Sequence, residues 1–112
     1  MRQSKLFCAL PEYICTPDSM AIDRHGNLVL SCPNFADEKS SGYVVKISRE
    51  GKVTRVAQSP DCTGLDGGLD QPGEPIVWNG RIVVSCFDLV TGPDKVNTKH
   101  EMPATLAEIP LY

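Results

Sequence analysis

Short runs of apolar residues, many alternating with polar ones, recur along most of the chain. The runs are bounded by turns rich in Gly, Pro, Asn and Asp, and no segment keeps apolar residues at helical spacing for three turns. The pattern predicts an all-β fold. The predicted strands span residues 6–10, 19–23, 28–32, 43–48, 53–57, 74–78, 82–86 and 105–109.

Two passages, residues 17–32 and 72–86, match each other in register with one deletion in the turn. Each copy reads as a short strand, a turn with a glycine (Gly26 or Gly80) where positive φ is needed, and a β-branched strand ending in Ser-Cys. The copies are 54 or 55 residues apart, close to the roughly 40 to 50 residues of a four-stranded propeller blade. The repeat predicts two blades.

The predicted domain spans residues 1–112, with blade-like repeats at about 17–57 and 72–112. The second repeat lacks a fourth strand, and the strand predicted at residues 5–10 is surplus. Propellers commonly close when a strand from one end completes the blade at the other. We therefore expect the N-terminal strand to complete a blade, either in its own chain or in a neighbour.

Two blades cannot close a ring, because a pair would leave two large apolar faces in water. Three copies would give a six-bladed propeller with three-fold symmetry, so the sequence favours a homotrimer. One alternative is that the chain is a piece of a longer propeller. Another is a compact sandwich with Greek-key pairing.

Composition narrows the class of protein. With 41% apolar and 22% charged residues, the chain has the content of a soluble globular domain. The net charge of −3 and the scattered basic residues predict no binding to nucleic acid or to membranes. The five cysteines are odd in number and form no C-x-x-C pair, so we expect buried free thiols and a cytoplasmic location.

The first repeat resembles a blade of the gluconolactonase and senescence-marker-protein-30-like family of lactonases. The resemblance lies in the Pro-Asp-Ser element at residues 17–19, the Asp-x-x-Gly-x-Leu element at 23–28, and the glycines at 42 and 51. The Gly-Glu-Pro-x-x-Trp run at 73–78 is similar to an E-G-P-x-W element of that family, with Gly and Pro rearranged. Together these elements cover most of residues 17–88.

The resemblance implies a divalent cation at the central channel, with Asp18 and Glu74 as ligands. Asn34 and Asp88 follow the two Ser-Cys strands and are candidate substrate-binding residues at the same mouth. Up to six carboxylates meeting in a trimer need a neutralising cation, and oxygen ligands suit Ca²⁺ or Mg²⁺. The alternative for Asp18 is a turn residue whose side chain caps a backbone amide.

Two functions follow. The resemblance implies hydrolysis of a lactone, with the cation polarising the carbonyl group and Asp18 as the catalytic base. The alternative is a propeller module without catalysis that binds a small sugar-like ligand or a protein. Propellers host many unrelated functions, so the fold does not choose between them.

Overall fold

The chain folds into two antiparallel sheets that pack face to face. The computed structural model describes residues 3–12, 14, 16–33, 40–60, 62, 64–87 and 103–111. Sheet 1 consists of β1 (Met20–Ile22), β2 (Leu28–Cys32), β3 (Ser40–Ile47) and β4 (Val53–Pro60), in that order. Sheet 2 consists of β5 (Pro72–Trp78), β6 (Arg81–Cys86) and β7 (Leu106–Pro110). The predicted all-β class is confirmed.

Each strand within a sheet pairs with its neighbour in sequence, so both sheets are simple meanders. A Greek-key sandwich needs a strand that returns by a long connection to lie beside the first. Neither sheet contains such a strand among the described residues, and the Greek-key alternative is wrong for this part of the chain.

The first three strands of the two sheets are paired in the same register. This confirms that the repeated passages form equivalent hairpins, and it extends the equivalence to β3 and β7, whose sequences differ. The equivalent pairs are Met20–Leu30 with Pro75–Val84, Ala21–Val29 with Ile76–Val83, Leu28–Ile47 with Ile82–Ile109, and Val29–Lys46 with Val83–Glu108.

The two repeats turn between their first strands by different means. Asn79 and Gly80 both have positive φ, 52° and 73°, which is the conformation of a tight two-residue hairpin turn. The first repeat has one more residue in this turn, and Asp23 organises it. The predicted turn glycine Gly26 has a φ of 81°, and an added Cβ would lie 2.6 Å from the Arg49 guanidinium group.

The main apolar core lies between the two sheets. From sheet 1 it takes Val29 and Val44, which are both fully buried. The facing residues from sheet 2 and its flanking segments are Leu69, Ile82, Val84, Ala107, Ile109 and Leu111. The face of each sheet that carries this core is called its inner face below.

The N-terminal segment, residues 3–14, does not form the predicted strand. No strand is present within residues 3–12, so residues 5–10 do not complete a blade in their own chain. That they complete a blade in a neighbouring copy stays a prediction. Cys8, Leu10 and Ile14 instead pack on the outer face of sheet 1, against a second core. The segment therefore packs on the face of a sheet, where Ile14 is buried and Cys8 and Leu10 are half-buried, while Leu6 and Phe7 are 80% and 58% exposed. It does not extend a sheet edge in its own chain.

The four described sheet faces are covered unequally. Both inner faces are covered by each other, and the outer face of sheet 1 is partly covered by the N-terminal segment. The outer face of sheet 2 is bare: Ile76, Trp78 and Leu106 are 54%, 59% and 72% exposed. The sequence predicted two uncovered faces, whereas one of them is partly covered by the chain's own N-terminal segment.

Asp23 is a buried carboxylate that holds the first turn together. Its Oδ1 accepts hydrogen bonds from the backbone N–H groups of His25 and Asn27, both at 2.9 Å, and Oδ2 accepts one from the Asn27 side-chain amide at 3.0 Å. The Lys46 ammonium group lies 3.9 Å from Oδ2 and donates to the Leu111 carbonyl oxygen at 2.6 Å. Lys46 thus connects this turn to the segment that follows β7.

The pKa of Asp23 is set by two opposing effects. Burial alone would raise the pKa, but the hydrogen bonds from Asn27 and His25, together with the charge of Lys46, outweigh burial and hold the pKa below its ordinary value of 3.8. A carboxylate with a lowered folded-state pKa contributes stability that is complete above the unfolded-state pKa. That contribution is lost as the pH falls through the folded-state value.

We expect Asp23→Ala to lower the free energy of unfolding by about 2 kcal/mol at neutral pH, because it removes the acceptor of three buried hydrogen bonds. The difference between wild type and variant should shrink as the pH falls below about 4. Urea unfolding followed by circular dichroism at a series of pH values measures both effects.

Asp66→Ala is the matched control, because Asp66 accepts a comparable bond from the Gly68 N–H at 2.9 Å in an exposed turn. Its cost should stay below about 1 kcal/mol. Equal losses for the two variants, or a difference independent of pH, would contradict the role given to Asp23.

Candidate functional site

The two sheets pack so that the starts of their first strands lie at the same end of the molecule. The Asp18 N–H donates to the Ser31 carbonyl oxygen at 3.0 Å. The Ser31 hydroxyl, which is fully buried, donates to the carbonyl oxygen of Gly73. Because Gly73 precedes Glu74, these bonds place both predicted ligand residues at one end, which is called the carboxylate end below.

Asp18 lines a cleft at the junction of the two sheets. The cleft has a volume of about 160 Å³ and is lined by Thr16, Pro17, Asp18, Pro33 and Phe87. These residues lie before β1, after β2 and after β6, so three chain segments meet here. The Thr16 hydroxyl donates to the Pro33 carbonyl oxygen and holds two of these segments together.

Glu74 lies on the other side of sheet 2, on its outer face. The pairing of β5 with β6 is irregular between Pro72 and Pro75, so Glu74 sits in a bulge. Its N–H donates to the Ser85 hydroxyl at 3.1 Å. The Glu74 side chain lines a second cleft with Ile76, Val83, Ser85 and Leu106.

The remaining predicted residues have varied outcomes. Asn34 and Asp88, the candidate substrate-binding residues, lie outside the described part of the chain. His25 is exposed in its turn. Trp78 does not pack between the two sheets of one chain, since it lies on the outer face of sheet 2. The four described cysteines are free; Cys32 is buried and the others are half-buried.

One chain does not bring the predicted cation ligands together. Asp18 and Glu74 line separate clefts, and no three His, Cys, Asp or Glu residues lie close enough to hold a metal ion among the residues described. Ca²⁺ takes six to eight oxygen ligands, and Mg²⁺ takes six. The described residues of a single chain therefore do not by themselves fit a Ca²⁺ or Mg²⁺ site, and the cation stays a prediction.

Sequence reasoning missed the different roles of the two repeated serines. Ser31 lies on the inner face of sheet 1 and connects the two sheets, whereas its counterpart Ser85 lies on the bare outer face of sheet 2. The signal was present, because the Ser-Cys ending recurs in both copies. The sequence does not show which face of each sheet is covered by other parts of the chain.

Comparisons with models of protein families, with curated proteins and with solved structures gave no match to this chain. The resemblance to the lactonase family therefore stays a prediction, carried only by the motifs given above. In the part of the chain that the structure describes, no helix is long and apolar enough to cross a membrane.

We expect Ser31→Ala to lower the free energy of unfolding by about 1–2 kcal/mol, because it leaves the Gly73 carbonyl oxygen without the hydroxyl donor between the sheets. Ser85→Ala is the matched control, since it removes the equivalent hydroxyl from a half-buried position on the outer face of sheet 2, where its bond to the Glu74 N–H is exposed. Its cost should be under about 0.5 kcal/mol. If chemical denaturation shows the same loss of unfolding free energy for both variants, the bond from Ser31 to Gly73 between the sheets is not the cause of that loss.

Proposed function

We propose that the chain is a two-blade unit of a β-propeller that assembles with copies of itself, and that the carboxylate end is its ligand-binding end. The observation that carries this proposal is the direction in which the two sheets stack. The strands of sheet 1 and of sheet 2 are paired in the same register. The two sheets nevertheless contact each other through faces that are not equivalent.

The stacking is head to tail. The inner face of sheet 1 carries Val29 and Ser31, whose counterparts in sheet 2 are Val83 and Ser85 on the outer face. The inner face of sheet 2 carries Val84, whose counterpart Leu30 lies on the outer face of sheet 1. Stacking of this kind does not stop by itself. Every sheet that is added exposes the same kind of face, and a further sheet can cover that face. Successive propeller blades stack in this way.

The bare face of sheet 2 is where the next sheet would be added. By equivalence, its natural cover is the outer face of sheet 1 from another copy. In the single chain, residues 3–14 occupy that face. Assembly into a ring therefore requires the N-terminal segment to leave the outer face of sheet 1, and the burial of Ile76, Trp78 and Leu106 would favour the exchange.

The ligand-binding role of the carboxylate end is supported by its construction. Three chain segments converge there around Asp18, with backbone positions fixed by the bonds of Ser31 and Thr16. In a head-to-tail ring, the Glu74 side of one copy faces the sheet 1 of the next. The two carboxylates that lie apart in one chain would then come from adjacent copies.

We expect the protein in solution to have a mass three times 12.2 kDa, measured by light scattering after size exclusion. Ile76→Glu and Leu106→Glu place charges on the bare face and should shift the mass toward that of the monomer, because burying an unpaired carboxylate opposes association. Leu65→Glu is the matched control, since Leu65 is 65% exposed in the loop before β5. That variant should keep the trimer.

A monomeric mass at all concentrations would contradict the assembly. A trimer that survives both Ile76→Glu and Leu106→Glu would show that a different surface is used.

The resemblance predicts lactone hydrolysis that depends on a divalent cation, and this is tested separately. If the carboxylate end is such a centre, a chelator should abolish hydrolysis of a simple γ- or δ-lactone, and Asp18→Ala and Glu74→Ala should each lower the rate at least tenfold. Asp66→Ala, a carboxylate in an exposed loop, is the control and should leave the rate unchanged. Absence of hydrolysis, or hydrolysis that survives chelator and both variants, would contradict a cation-dependent lactonase centre at this end.

A further inference from the structure

The cleft at Asp18 combines one carboxylate with walls that are mostly rings. Pro17, Pro33 and Phe87 contribute apolar lining, and Asp18 supplies the charge. Pro33 is buried, whereas Pro17 is exposed and Phe87 is 39% exposed. The Thr16 hydroxyl already donates to the Pro33 carbonyl oxygen.

The walls of this cleft are held in place before any ligand arrives. The Phe87 N–H donates to the Gln71 carbonyl oxygen at 2.8 Å, and the Asp18 N–H donates to the Ser31 carbonyl oxygen at 3.0 Å. The Phe87 ring also lies close over Gly73, where an added Cβ would be 3.3 Å from Cε2. Prearranged walls lower the ordering cost of binding.

Among the described residues, the lining favours organic cations over hard metal ions. Ca²⁺ and Mg²⁺ need a shell of oxygen ligands, whereas the described walls supply one carboxylate, the Thr16 hydroxyl and apolar side chains. An alkylammonium ion needs one anionic partner for its head, and its methylene groups gain from apolar and aromatic surfaces. The volume of about 160 Å³ is below the roughly 300 Å³ of pockets for drug-sized ligands, so the ligand is small.

We propose that this cleft binds a primary alkylammonium group, with the ammonium at Asp18 and the alkyl chain against Phe87 and the two prolines. The proposal deepens the ligand-binding role of the carboxylate end and rests on it, but it does not depend on the ring, because all five lining residues belong to one chain. The group can belong to a free small amine or to a lysine side chain.

The test is a ligand titration that is monitored through the NMR chemical shifts of the backbone amides. The probes are n-butylammonium, the lysine mimic Nα-acetyl-lysine-N-methylamide, the neutral analogue 1-butanol, and CaCl₂. We expect the two amines to shift the Asp18 and Phe87 amides, with a dissociation constant on the order of millimolar for the tighter one. The tighter amine identifies the source of the group. The shifts from 1-butanol should indicate at least tenfold weaker binding.

Three variants test which residues form the amine-binding site. Asp18→Asn should weaken amine binding at least tenfold, and Phe87→Leu severalfold, while Glu74→Gln in the other cleft should change it less than twofold. Raising the salt concentration should weaken binding in wild type but not in Asp18→Asn, because the attraction to an exposed carboxylate is screened.

Equal binding of 1-butanol and the amines, or amine-induced shifts unaffected by Asp18→Asn, would overturn the proposal. So would Ca²⁺ perturbing the same amides more tightly than either amine, which would make the cleft a hard-cation site. Light scattering on the same samples separates this proposal from the assembly: a monomer that binds amines refutes only the ring, and a trimer that binds none refutes only the amine site.

Discussion

The fold depends on the apolar contact between the inner faces of the two sheets. Val29 and Val44 on one side and Ile82 and Val84 on the other are fully buried only because the sheets cover each other. A three-stranded sheet with one face in water has little independent stability. Sheet 2 has no second cover among the described residues, so its contact with sheet 1 is what keeps it folded.

The contact between the two sheets also positions the residues of the carboxylate end. The carboxylate end exists because β5 lies against β1 and β2, so that the Ser31 hydroxyl reaches the Gly73 carbonyl oxygen. The cleft at Asp18 needs Phe87 from sheet 2 as one wall and Pro33 from sheet 1 as another. Head-to-tail stacking gives this end its shape and leaves one face of sheet 2 uncovered, so the proposed ligand cleft and the proposed assembly surface have a common origin.

Much of the fold could be predicted from the sequence. Alternation of apolar and polar residues located seven strands, and the Ser-Cys endings aligned the repeats in the register found, because register follows from the two-residue period of a strand. The predicted N-terminal strand does not form within the chain, for a physical reason. Its residues Cys8 and Leu10 become half-buried by packing on the face of a sheet. Pairing at a sheet edge would be indicated by the same sequence pattern. The sequence indicated that Asp18 and Glu74 lie at one end, but not that they line separate clefts, because the bulge before Pro75 and the direction of stacking are properties of the packed chain. Their roles as cation ligands stay predictions.

The central claim is that the outer face of sheet 2 is an assembly surface, and Trp78 reports on it directly. Trp78 is the only tryptophan in the chain and lies on that face, 59% exposed in the single chain. Acrylamide quenching of its fluorescence should be measured across a dilution series. We expect weak quenching and blue-shifted emission at high concentration, both reverting toward those of an exposed indole on dilution. Strong quenching and red-shifted emission at every concentration would contradict the account.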